Sequence, residues 1–239
     1  MSIQDLYKKG YTVLPSLISG ETCDKLAAYL NKSIEESGDL PYNYIKGHDQ
    51  LRLPSKGEDI PEEIVLNDKI HGILREVFGK SYYLYSYTCN ANRASRDQPF
   101  HMDCTHFHPI STIRDFGSPG PPVQIIVNTY LQDTDESNGS LEMVPESHLN
   151  TYFEMGEDGE IEDKYIGKTQ RCNFPKGSVI IRDKRTWHRG TKNPSGKARY
   201  MVGTSYAMNW YKLSDLTFDA SAEEILYDVP FSTWNIRYE

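Results

Sequence analysis

The apolar period of this chain changes from about 3.6 to two near residue 80, and that change sets the class of fold. Before it lie two helical stretches. Ser19 is a suitable N-cap for a helix running to about Ser37, with Cys23, Leu26, Ala27, Leu30 and Ile34 on one face at i, i+3, i+4, i+7 and i+11. A second helix is capped by Asn67 or Asp68 and closed by Gly79, with Ile70, Ile73, Leu74, Val77 and Phe78 as its buried stripe. After it come short β-prone runs at 82–88, 123–131, 140–144, 178–182 and 199–206, with Pro119-Gly120-Pro121-Pro122 as a breaker. Helices followed by many short strands predict a mainly β protein, a double-sheet jelly roll or barrel with flanking helices. Residues 10–15 read as a short extended segment stopped by Pro15, and residues 38–61 as a polar loop beside the scaffold. One domain over 1–239 is the simplest organisation: helical support at 19–79, a β core at 82–206 and an extension at 207–239.

Composition excludes several functions. At 239 residues the chain can bury a sizeable core without staples. A formal net charge of -8 opposes a general nucleic-acid binder, which carries a basic stripe. No apolar run approaches the roughly 18 residues of a membrane span, and the N-terminus lacks a basic, apolar leader. The four cysteines, Cys23, Cys89, Cys104 and Cys172, form no CxxC pair, which fits reduced thiols and a cytoplasmic setting.

Chemistry concentrates at Pro99–Ile110, and within it at His101-Met102-Asp103. On an extended segment residues two apart share a face, so this imidazole and carboxylate can share a metal ion. One more His completes a 2-His-1-carboxylate set, which suits non-haem Fe(II) and leaves open positions. The best third ligand is His188, after the 178–182 strand and a short turn; a second reading makes it a satisfied histidine beside the site. Arg199 stands eleven residues later at the start of the next strand. Its guanidinium suits the far carboxylate of a 2-oxo acid such as 2-oxoglutarate, while the structural alternative is an edge-strand salt bridge.

The ordered set "HMD", "NGSLEMVPESH" (138–148) and "WHRGTKNPSGKAR" (187–199) resembles the phytanoyl-CoA dioxygenase-like family of Fe(II)/2-oxoglutarate oxygenases. The opening "GYTVLPSLISGETCDKLAAYL" is also similar, so the likeness runs from about residue 10 to 206. It implies a double-stranded β-helix (a cupin-like jelly roll), with Fe(II) on His101, Asp103 and His188. It also implies 2-oxoglutarate on Arg199, with Asn128 as a further contact, and O2 as the oxidant. The implied reaction is hydroxylation of an unactivated C–H bond with release of succinate and CO2. Asp103 argues against halogenation, for which related enzymes replace the carboxylate; desaturation, ring formation and epimerisation stay open. Glu146 departs from the family, which has Gly there in a "PGSH" loop. The expected partner is a small molecule, natural-product or amino-acid-like, rather than nucleic acid or membrane. Two other readings are a cupin-like metalloenzyme without an oxo acid and a non-catalytic ligand-binding jelly roll.

Neighbouring residues carry further expectations. Alternation puts Cys104, His106 and His108 on the face opposite His101 and Asp103, as substrate contacts or groups that orient the ligands. Phe107 and Trp187 are pocket walls or core, and His148 holds its own loop. Lys184, Arg185 and Arg189 are alternative anion contacts. Tyr42, Tyr44, His48 and Arg52 read as solvated loop residues within reach of a substrate. The Tyr-rich segment 82–87 is the place for selectivity. The stretch from Asp215, with Tyr227, Phe231 and Trp234, is a candidate barrel cover or oligomer contact.

Overall fold

The computed structural model describes residues 3–37, 40–42, 44–53, 61–103, 120–149 and 167–211. Local capping chemistry places the helices. Ser19 accepts from the Thr22 backbone N–H and starts α2, Gly20–Glu36. Asn67 accepts from Lys69 and Ile70 and starts α4, Asp68–Phe78, which Gly79 ends at φ 74°. Two helices fall outside the sequence expectation, α1 (Ile3–Lys9) and the single turn α3 (Glu62–Val65). None of the described helices is long and apolar enough to cross a membrane.

The strands are β1 (Tyr11–Leu14), β2 (His48–Arg52), β3 (Tyr82–Asn92), β4 (Gln124–Tyr130), β5 (Leu141–Met143), β6 (Gln170–Arg171), β7 (Val179–Asp183), β8 (His188–Gly190) and β9 (Arg199–Met208). They form a six-stranded antiparallel sheet, β1-β7-β4-β9-β3-β2, and a three-stranded one, β6-β5-β8. This is the expected jelly-roll architecture. One expectation is corrected: residues 38–61 are not all loop, because β2 pairs with β3 along its whole length.

Period-two alternation gives the large sheet two different faces. Val179, Ile181, Ile125, Val127, Val202, Cys89 and Ala91 face the helices and join Cys23, Leu26, Leu30, Ile70, Leu74 and Phe78 in the main core. The opposite face looks into the interior between the sheets, where Tyr130, Ile180, Met201, Leu141 and Met143 form a second cluster. Beyond that cluster the interior face turns polar: Ser86, Thr88, Asn90 and Asn92 on β3, with Arg199, Gly203 and Ser205 on β9, line a cavity. A buried polar sheet face must be hydrogen-bonded or filled by a ligand.

Candidate active site

The cavity, about 150 Å³, opens between the two sheets and contains all five residues singled out from the sequence: His101, Asp103, Asn128, His188 and Arg199. His101 and His188 are directly opposed in an isolated antiparallel bridge. Each backbone N–H donates to the other's carbonyl at 2.9 Å, and the ring centroids lie 4.4 Å apart. Asp103 is held in turn by its backbone N–H on the Lys184 carbonyl at 3.0 Å. The donor atoms of His101, Asp103 and His188 lie within 4.8 Å of one another.

The hydrogen bonds decide which ring nitrogens face inward. His101 Nδ1 is 2.9 Å from the Pro99 carbonyl, and His188 Nδ1 is 3.0 Å from that of Thr186. A carbonyl only accepts, so each Nδ1 carries the hydrogen and each Nε2 keeps its lone pair. Those two Nε2 atoms lie 4.0 and 3.6 Å from Asp103 Oδ1. Burial pushes both imidazoles below their ordinary pKa, with the Arg182 charge adding to the effect, so both rings are neutral. Burial alone would raise the Asp103 carboxyl, but His188, Arg182, Lys184 and His101 outweigh it and hold it well below the ordinary carboxylate range. Two neutral imidazoles and one carboxylate, already aimed at a common point, are the donor set of a divalent transition metal.

Arg199 lies at the other end of the cavity floor, level with Asn92 and His48 across β3 and β2. It is only 2 % exposed. Its Nε and Nη2 donate to the Gly139 carbonyl, while Nη1 has no partner among the described residues. Asn128 has both side-chain polar atoms buried and unpartnered among the described residues. Two positions along the same strand the Tyr130 hydroxyl is likewise unpartnered, and the Arg199 charge acts on it. Buried polar atoms without partners are rare in native proteins. The Arg199 cation, with Tyr130 acting on it and Asn128 lining the same cavity, fits the far carboxylate of a 2-oxo acid.

Two residues lining this site, Arg182 and Gly190, and one neighbour of Arg199, Tyr130, were not singled out from the sequence. Arg182, inside the apolar run Val179–Asp183, donates from Nη2 to Asp103 Oδ2 at 2.6 Å. Tyr130 gave no signal beyond strand alternation. Gly190 lets His48 and Gln98 approach, since a Cβ there would stand 2.8 Å from the His48 ring and 2.7 Å from Gln98 Oε1.

The other residues weighed from the sequence have the following places. His48 is 5 % exposed and lines the cavity, not a solvated loop residue, because β2 carries it inward. Tyr44 is exposed, with its ring centroid 4.6 Å from that of His101 and its backbone at φ 60°. Tyr42 is exposed as expected. His148 anchors its loop to α1, its Nε2 meeting the Tyr7 carbonyl. Trp187 packs with Phe100 and Val144 in a separate apolar cluster. Arg185 is engaged by Asp183, and Arg189 by Glu142 and Asp97, whereas Lys184 lines the cavity and donates to the Tyr85 hydroxyl at 3.0 Å. In the Tyr-rich segment it is Ser86 that faces the cavity, while Tyr82 belongs to the helix-side core. Cys104, His106, Phe107, His108, the Arg52 side chain and the stretch from Asp215 lie outside the described residues.

A jelly roll with a His-Asp-His cluster between its sheets defines the class: a cupin-like scaffold carrying a candidate metal centre. The family model for phytanoyl-CoA dioxygenase (PhyH) matches residues 6–201, and the chain belongs to that family. Its members are typically Fe(II)/2-oxoglutarate oxygenases. Among solved structures, the crystal structure of AviO1 from Streptomyces viridochromogenes Tue57 is similar, with a TM-score of 0.62 and 18 % identity. The match covers 88 % of this chain and 95 % of AviO1, and it shows a common fold.

Proposed function

We propose that this protein is an Fe(II)/2-oxoglutarate-dependent oxygenase that hydroxylates an unactivated C–H bond of a small natural-product or amino-acid-like molecule. One observation carries the reading: a converging His101, Asp103 and His188 donor set shares a cavity with Arg199 and Asn128, whose side chains keep buried polar atoms without partners among the described residues. In this reading, His101 Nε2, His188 Nε2 and one Asp103 oxygen hold iron. Arg199 Nη1, the Asn128 amide and the Tyr130 hydroxyl hold the far carboxylate of the cosubstrate. Iron with 2-oxoglutarate and O2 supplies the oxidising power, and succinate and CO2 are the co-products.

Leu141 and Met201 line the cavity near Arg199 and keep water from the buried ion pair formed there. Ser86 and Ser205 lie six residues along β3 and β9 from the Asn92–Arg199 rung, about 20 Å at the rise of a strand. That end of the cavity, with Lys184 beside it, is assigned to the substrate. Its hydroxyl and ammonium groups favour a polar substrate. The free, buried thiols of Cys23, Cys89 and Cys172 accord with a cytoplasmic setting.

The test is an anaerobic titration with Fe(II) and then 2-oxoglutarate, following the visible charge-transfer band of the chelate. A saturable band at one iron per chain is expected. Asp103→Ala should remove iron binding. Arg199→Ala should leave it intact and weaken 2-oxoglutarate by about tenfold or more, the worth of a hydrogen bond to a charged group. Iron binding without a band would end the oxo-acid reading and favour another cupin-like metalloenzyme.

A further inference from the structure

The two oxygens of Asp103 are in different situations. Oδ1 faces the imidazoles, 3.6 Å from His188 Nε2 and 4.0 Å from His101 Nε2. Oδ2 faces away and accepts from Arg182 Nη2 at 2.6 Å. Arg182 comes from β7 and is 2 % exposed. Its Nη1 donates at 3.3 Å to the Thr186 carbonyl, the same oxygen that receives His188 Nδ1–H at 3.0 Å. Nη1 also lies 3.1 Å from His188 Nδ1. Both are donors, so this contact is the side-by-side approach of two groups sharing one acceptor. A single rigid guanidinium therefore touches the carboxylate and the turn carbonyl that orients the distal histidine.

A buried cation beside a metal position repels a divalent ion, so attraction of the metal does not explain it. Direction does. A carboxylate with both oxygens free can grip a metal through either one or two of them. We infer that Arg182 is a positioning residue which withholds Oδ2 and confines Asp103 to one ligating oxygen. This rests on the proposed metal site and adds a claim about coordination number. The three protein atoms would then leave three positions of an octahedral ion open, two for a chelating 2-oxo acid and one for O2. A carboxylate gripping through both oxygens would close one of them. An apolar side chain filling the same volume could not make that distinction.

The experiment uses the full chain loaded anaerobically with Co(II) or Zn(II), neither of which turns the enzyme over. Infrared difference spectra on metal binding, with 13C-labelled aspartate, read the separation of the carboxylate stretches. A wide separation in the wild-type protein, the signature of one-oxygen ligation, is expected. In Arg182→Met the separation should narrow. The Co(II) visible spectrum should change with it, and 2-oxoglutarate should bind the Co(II) protein about tenfold or more weakly. A narrow separation in the wild type overturns the inference. So does an Arg182→Met protein whose separation and 2-oxoglutarate affinity stay within twofold of wild type, since a residue that only fills the core would lower the melting temperature and move neither. If Arg182→Met does not fold, Arg182→Gln, which removes the charge and the paired donors, is read against the same two outcomes. Failure of the wild type to bind Co(II) or Zn(II) at His101, Asp103 and His188 overturns the site reading itself, and the inference with it.

Discussion

Arg199 and Gly139 are joined by two hydrogen bonds to one atom: Nε at 3.2 Å and Nη2 at 3.0 Å both meet the Gly139 carbonyl. This contact uses two of the three guanidinium nitrogens and leaves Nη1 buried without a partner among the described residues. It also explains the Asn138-Gly139 turn of the sequence motif. Gly139 sits at φ 79°, and a Cβ there would stand 2.6 Å from Asn92 Nδ2 and 2.9 Å from the Lys192 and Thr191 carbonyls. Gly139→Ala therefore combines left-handed strain with a clash against backbone. A loss of about 2–4 kcal/mol in urea denaturation is expected, together with weaker 2-oxoglutarate binding as the Arg199 anchor shifts.

The Tyr130 hydroxyl is buried without a partner among the described residues. Leaving such a group unsatisfied costs about 1–3 kcal/mol, so its removal should help the empty protein. Tyr130→Phe is expected to raise the melting temperature of the ligand-free chain. With metal and 2-oxoglutarate present the gain should vanish or reverse, because the hydroxyl then has a partner. A thermal melt with and without cosubstrate reads both signs; a gain of equal size in both states would remove Tyr130 from the cosubstrate site.

Glu146, the departure from the family's Gly, holds φ 68°. The left-handed region costs a side-chain-bearing residue about 1–2 kcal/mol, partly offset by the extra chain entropy that Gly loses on folding. Glu146→Gly should therefore stabilise the fold by about 0.5–1 kcal/mol, seen as a higher denaturant midpoint at unchanged slope. The Glu146 backbone N–H still reaches the Lys9 carbonyl, so the loop need not move.

All five described histidines, His48, His71, His101, His148 and His188, have pKa values lowered from 6.5, with burial the largest cause in each. Below pH 6.5 the unfolded chain therefore binds protons that the folded one refuses. The stabilisation is fully present above pH 6.5 and is lost as pH falls through the folded values. Each histidine adds up to about 1.4 kcal/mol per pH unit to the slope. His71, between the Tyr82 hydroxyl at 2.8 Å and the Val65 carbonyl at 2.7 Å, is far from the metal position and isolates the effect. In metal-free protein, His71→Gln should flatten the fall of stability between pH 6.5 and 5.5, measured by urea denaturation at each pH.

What was legible in the sequence was what neighbours along the chain decide. Ser19, Asn67 and Gly79 act within one helical turn, so the bounds of α2 and α4 follow from a few residues. Strands with an apolar face, such as β4 and β7, show themselves by composition. β2 did not. His48 and Gln50 face a polar cavity, so its pattern reads like loop, and only pairing with β3 makes it a strand.

The site divides along the same line. The two-residue spacing of His101 and Asp103, the separate His188 and the later Arg199 are sequence facts, and they bring the chemistry and the family into view. That His101 and His188 oppose each other across a bridge, with both Nε2 atoms turned inward, is decided by long-range hydrogen bonds. The grip of Arg182 on Asp103 spans 79 residues, and burial forces that charge to find a carboxylate. Sequence alone determined which groups are present and which local elements carry them. Only the tertiary structure decided which polar atoms are satisfied and which are left waiting, because burial and pairing across the sheets are properties of the packed chain.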